Sequence, residues 1–179
     1  MRRKTAALLA ALLAASCLFA GCAGQERPVS ASDAETVSEA VQKPFDAVAQ
    51  IKMGGIEATA DLNKSEDGVF SFAFTAPKTL AGMTITMDKE NIGLSYLGLS
   101  IEADSEAVLN SAVTKAIVAA VNKAAEPNGI TIGVEGTAVT VRGETESGEF
   151  LITLDQRNQS LLSLSIPNLD LECHFGGGS

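Results

Sequence analysis

From Gly55 to Phe175 the chain alternates apolar and polar residues with a period of two, in one short run after another. "GIEATADLN" sets Ile56, Ala58, Ala60 and Leu62 against polar partners, and "VFSFAFTA" sets Phe70, Phe72 and Phe74 on one side. "MTITM" does the same with Met83, Ile85 and Met87, and "IGLSYLGLSIEA" with Ile92, Leu94 and Tyr96, then Leu99 and Ile101 after Gly98 shifts the register as a bulge. Beyond residue 129 the pattern returns in Ile130, Ile132, Val134, then Ala138 with Val139 and Val141, then Phe150, Ile152, Leu154. It ends with Leu162, Leu164, Ile166, and with Leu169, Leu171, Cys173, Phe175. Polar turns such as "SEDG", "DKEN", "ESGE" and "QRNQ" separate the runs, which predicts two antiparallel meanders.

Two stretches have helical period. Residues 105–125 place Val108, Leu109, Ala112, Val113, Ala116, Ile117, Ala120 and Val121 at i, i+3, i+4, i+7 spacing, with Pro127 and Gly129 as stop signals. A first helix is expected from Asp33 to Met53, on Val37, Val41, Val48 and Ile51, kinked or broken at Pro44.

This order constrains the shape. Ten strands at ~4.8 Å spacing make a sheet ~48 Å wide, and two helices of ~10 Å diameter cover under half of it. Nearly every strand has an apolar face, and so large a face is not left open to water. The expected fold is α+β: a strongly curved antiparallel half-barrel of about 10–11 strands, with an N-terminal helix and a central helical lid. Where the helices do not fill it, an apolar cavity remains. Its wall is expected from Phe70, Phe72, Phe74, Met83, Ile85, Met87, Leu94 and Tyr96 on the strands and Leu109, Val113 and Ile117 on the helix. The three phenylalanines read first as a plain core face and only second as a cavity wall.

The N-terminus has a different character. Arg2, Arg3 and Lys4 precede the uncharged apolar run Ala6 to Ala20, which is shorter than the ~20 residues of a membrane-spanning helix. That order reads as an export signal. "LFAGC" then resembles the lipobox of bacterial lipoproteins, which implies cleavage before Cys22 and a lipid on its thiol. Ala20 and Gly21 supply the small residues of the cut, Phe19 stands where the family has Leu, and Cys17 in "LAASC" is the competing site. The division expected is 1–21 signal peptide, 22–32 lipidated cysteine and tether, 33–175 folded domain and 176–179 flexible tail.

With Cys17 removed and Cys22 lipidated, Cys173 alone remains in the folded part, so no internal disulfide can form. The 179-residue chain carries 13 basic and 22 acidic residues. Loss of Arg2, Arg3 and Lys4 leaves 10 against 22, a net charge of −12. Such a surface repels nucleic acid and anionic headgroups, so the lipid is what holds the protein at a membrane.

Element order, together with "FSFAFTAPKTLAGMTITMDKENIGLSYLGL", resembles the LolA/LppX-like group of lipoprotein and lipid carriers over about Val37 to Phe175. The resemblance implies an eleven-stranded half-barrel with helices as a lid over a cavity that shelters acyl chains.

The sequence carries little reactive chemistry. His174 is the lone histidine and adjoins Cys173, so in a strand the two point to opposite faces and cannot chelate together. No "GxSxG" is present, and "GVEG" is no phosphate loop. The expectation is a non-catalytic lipoprotein without cofactor or metal, on the extracytoplasmic face of a bacterial cell membrane. It would bind a lipid or acyl chain and no nucleic acid. The alternative is a packed surface module with an envelope protein partner.

Overall fold

The structure is a computed structural model, and it describes residues 31–88, 91–104 and 113–177. The expected signal segment, both N-terminal cysteines, residues 22–30 of the expected tether, and Ser105 to Ala112, with Leu109 among them, lie outside these residues, whereas Ala31 and Ser32, expected in the tether, begin the first helix.

Helix α1 (Ala31–Gln42) comes first. Past Pro44 the chain becomes strand β1 (Phe45–Met53), which corrects the helix expected to reach Met53. Ala47, Ala49 and Ile51 point inward while Asp46, Gln50 and Lys52 face solvent. Proline lacks the N–H that would continue the helix. Strand pairing then wins because β1 is paired on both sides, Ala49 lying between Ala60 and Phe175. Two hydrogen-bonded ladders outweigh the helical preference of a short alanine-containing run.

The first meander continues with β2 (Ile56–Lys64), β3 (Phe70–Ala76), β4 (Thr84–Met87), β5 (Asn91–Tyr96) and β6 (Leu99–Asp104). Helix α2 (Val113–Ala124) follows. The second meander is β7 (Ile130–Glu135), β8 (Ala138–Thr145), β9 (Gly148–Asp155), β10 (Leu161–Ile166) and, after a 3-10 turn at Pro167–Leu169, β11 (Leu171–Gly177).

All eleven strands form one sheet in the order β6-β5-β4-β3-β2-β1-β11-β10-β9-β8-β7, every pair antiparallel. β1 and β11 meet at the centre, and β6 and β7 are the open edges. The chain leaves one edge at Asp104 and re-enters at the other at Ile130, so the connection must cross a face of the sheet. α2 belongs to that connection and packs against β8, β9 and α1.

Further expectations change in detail. Gly98 marks no bulge. Leu97 and Gly98 have φ of 51° and 81° and form a two-residue turn that pairs Tyr96 with Leu99, so the run is two strands. Leu161, not Leu162, points inward, because a register shift between Leu161 and Ser163 reverses the parity at the start of β10. Leu169 sits in the 3-10 turn rather than in β11. The tail expected from residue 176 does not begin there, since Gly176 and Gly177 pair with Val48 and Ala47.

Candidate functional site

Directly paired residues of an antiparallel sheet share a face. One row across the inner face therefore runs Ile101, Leu94, Ile85, Phe72, Leu62, Ala47. Exposure along it rises from 0% at Phe72 to 36% at Leu94 and 64% at Ile101. Along this row the apolar face is covered at the sheet centre and bare towards the β6 edge, whereas Ile92 on β5 stays buried beside Met87.

An apolar cavity of about 210 Å³ lies where that cover begins to fail. β1 contributes Ile51 and Met53, β2 Ile56 and Ala58, β3 Phe74, and β4 Ile85. Leu80 closes it from the β3–β4 loop, and Val113 and Thr114 from the first turn of α2. Thr114 brings the one polar side chain among these described lining residues. Its hydroxyl is buried and has no hydrogen-bond partner. A wider cleft of about 730 Å³ runs beside α2, past Lys115, Asn122, Glu126 and the Thr145–Ser147 turn. Met53 and Val113 line both spaces and so form the partition between them.

The residues expected at a cavity wall divide into groups. Phe74, Ile85 and Val113 line the 210 Å³ space. Phe70, Phe72 and Ile117 are fully buried in the core, with Met87 nearly so. Met83 is half-buried against the same core. Leu94 and Tyr96 share the inner face beyond the cavity, towards the bare edge. Ile51 and Met53 were missed because the run containing them reads as helix. Thr114 was missed because a threonine on an apolar helix face gives no sign in sequence that its hydroxyl lacks a partner.

Charge enters the inner face at one described point. Lys64 continues the parity of Ala60 and Leu62, and is 5% exposed. Its Nζ donates to the carbonyls of Val41 (2.6 Å) and Gln42 (3.1 Å), at the C-terminus of α1 where carbonyls lack helical partners. The ammonium also lies 5.5 Å from the centre of the Phe70 ring. Burial lowers its pKa below 10.5. Ser38 Oγ donates to the Ala125 carbonyl just past α2, and Gln42 Nε2 donates to both Ser38 Oγ (2.9 Å) and that carbonyl (3.3 Å). The two helix ends are thereby tied together.

Cys173 is fully buried between Ile51 and Leu164, and burial pushes its thiol pKa up to about 12. It is packing, not a nucleophile. His174 faces outward, as strand alternation requires. Among the described residues no cluster of His, Cys, Asp and Glu is arranged to hold a metal, and no helix is long and apolar enough to cross a membrane.

No protein-family model matches the chain, and no curated protein does. Solved structures do. An uncharacterized conserved protein from Thermus thermophilus superposes with a TM-score of 0.51 at 12% identity, covering 83% of this chain and 86% of that one. That likeness is one of fold. The neighbours also include LprF from Mycobacterium bovis (TM-score 0.44, 13% identity, 86% of this chain and 94% of that one). A LolA superfamily protein, NE2245 from Nitrosomonas europaea, is a third (TM-score 0.37, 12% identity, 76% and 71%).

Proposed function

We propose that this chain is an extracytoplasmic lipoprotein, anchored through Cys22, that shelters a lipid acyl chain without transforming it. The sheet acts as a curved half-barrel and α2 as its lid. The observation that carries the reading is the apolar cavity of about 210 Å³ beneath the first turn of α2, bounded by Ile51, Phe74 and Ile85. At ~30 Å³ per water it equals about seven water volumes, room for part of one acyl chain. The adjoining cleft of about 730 Å³ behind Met53 and Val113 offers space for the remainder. A concave apolar surface of this kind accepts apolar guests.

The test is mass spectrometry of lipids that co-purify with the protein produced from Ala23 onward. One acyl-bearing species retained in stoichiometric amount is the expected result. Lipid-free protein that also fails to bind a fluorescent fatty-acid probe would favour the packed interaction module.

A further inference from the structure

We infer that one end of the first meander is a membrane-contacting rim, whose hairpin tip at Leu97 enters the interfacial layer of a lipid bilayer. The contact belongs to the folded domain itself, apart from the lipid on Cys22 and from any guest in the cavity. Three observations combine.

The first is charge. In an antiparallel meander the β1–β2, β3–β4 and β5–β6 turns lie at one end of the strands, and the β2–β3 and β4–β5 turns at the other. The turns at the first end read "MGGI", "APKTLAGM" and "YLGL", and Lys78 is their one charged residue. Those at the other end, "SEDG" and "DKEN", contain Glu66, Asp67, Asp88 and Glu90 against Lys89 alone. Lys52 and Glu57, which flank the β1–β2 turn, sit on the outer face and pair with each other at 3.9 Å. A chain with 22 acidic residues thus keeps three neighbouring turns free of them.

The second is exposure. Leu97 is 80% exposed, Leu99 74% and Ile56 65%. Leu97 has a φ of 51°, at a place where a two-residue turn ordinarily has the asparagine of Asn-Gly. Asparagine would be less strained there and better hydrated. Leucine adds nothing to the core from this position, and an exposed apolar patch marks contact with something outside the domain.

The third is the kind of surface. Ile56 and Leu97 stand on separate turns, with β3 and β4 between them. A protein partner needs a shape matched to such points, and a bilayer does not. Apolar tips with Tyr96 half-buried behind them and Lys78 exposed beside them are the residue types of a bilayer interface. The acidic far end disfavours the opposite orientation against anionic headgroups. In the second meander the turns at the rim's end carry Glu146 and Asp170, so the contact is confined to the first half of the sheet. Met53, Ile56 and Leu80 belong to the rim and also line the 210 Å³ cavity, so a bilayer at the rim meets the cavity wall itself. For a carrier, that is a route for an acyl chain that avoids bulk water.

The experiment uses the chain from Ala23 onward, which keeps the whole described core, Val37 to Phe175, and lacks the anchor. Co-sedimentation with phosphatidylcholine vesicles is measured for the parent, Leu97→Asn and Asp67→Asn. Leu97→Asn should lose about tenfold in partition into vesicles, and Asp67→Asn should lose none. Leu97→Asn should also melt at or above the parent temperature, because asparagine accepts a positive φ. Bimane attached to Leu97→Cys should be quenched by brominated phosphatidylcholine, and bimane on Asp67→Cys should not. Cys173 is buried and stays unlabelled.

A lower melting temperature for Leu97→Asn would mean that the side chain packs on its own chain. A parent dimer that Leu97→Asn dissociates would assign the tip to a second copy. Either result overturns the inference. So does equal partition of parent and Leu97→Asn, equal quenching at the two labelled sites, or a parent that does not partition at all. The carrier reading stands or falls separately, on the lipid that co-purifies.

Discussion

Lys64 Nζ donates to the carbonyl of Val41 at 2.6 Å, so a cation on the inner face of β2 closes the C-terminus of α1. The contact stabilises the last turn, and the burial that makes it also disfavours the charge. Lys64→Met should cost about 1–2 kcal/mol at pH 7, since the helix-end carbonyls lose their donor and the buried charge disappears with it. The sign of the pH dependence follows from the lowered pKa. Between that value and 10.5 the unfolded chain binds more protons at this site than the folded one, so the parent gains stability as pH rises. Urea midpoints at pH 7, 9 and 10 should show the gap between parent and variant widening. A gap that narrows would mean that the folded state favours the ammonium.

The core and the cavity edge should respond differently to truncation. Phe72 is fully enclosed, so Phe72→Ala should cost about 3–5 kcal/mol. Ile85 pairs with it across β3 and β4 but borders the 210 Å³ space, so Ile85→Ala should cost less than half as much. Equal losses, read from denaturant midpoints, would mean that the cavity is filled.

Ile117 is fully buried on α2. Ile117→Asp places an unpaired charge in that interior and should cost several kcal/mol. An unchanged melting temperature would mean that α2 does not cover the sheet.

Gly143 lies under the ring of Phe150, its cross-strand partner. A Cβ added there would meet the ring at 2.6 Å. Gly143→Val should therefore push Phe150 out of the core and cost about 1–3 kcal/mol. Phe150→Leu in the same chain should recover part of the loss, since a double-mutant cycle isolates the clash.

Cys173 should resist thiol reagents until the sheet opens, because its thiol is buried and its pKa stands at about 12. Labelling in rising urea should follow the global unfolding curve. Early labelling would place a local opening at the β1–β11 pair.

The strands were readable because each inner face carries its apolar residues at every second position, and one slip would have turned them all to solvent. Phe70, Phe72 and Phe74 show this plainly. β1 was not readable, because Val48 and Ile51 also satisfy helical spacing and the small residues Ala47 and Ala49 pack only after β2 and β11 flank them. The cavity was half-legible. Sheet width against helix cover implied a gap, but which residues border it depends on where α2 sits. Thr114 and Met53 became visible only with that placement, and Lys64 falls one residue past the strand read from "GIEATADLN".

The sheet's central seam joins Ala49 to Phe175, residues from opposite ends of the folded domain. Every other neighbouring pair of strands is consecutive along the chain. The two halves can therefore zip up locally at small loop-closure cost, while the seam closes the longest loop in the molecule. Its formation waits until both halves exist, so a chain emerging N-terminus first holds β1 unpaired on one side until its last strand has been made. During synthesis that bare edge is the surface most exposed to mispairing with another copy.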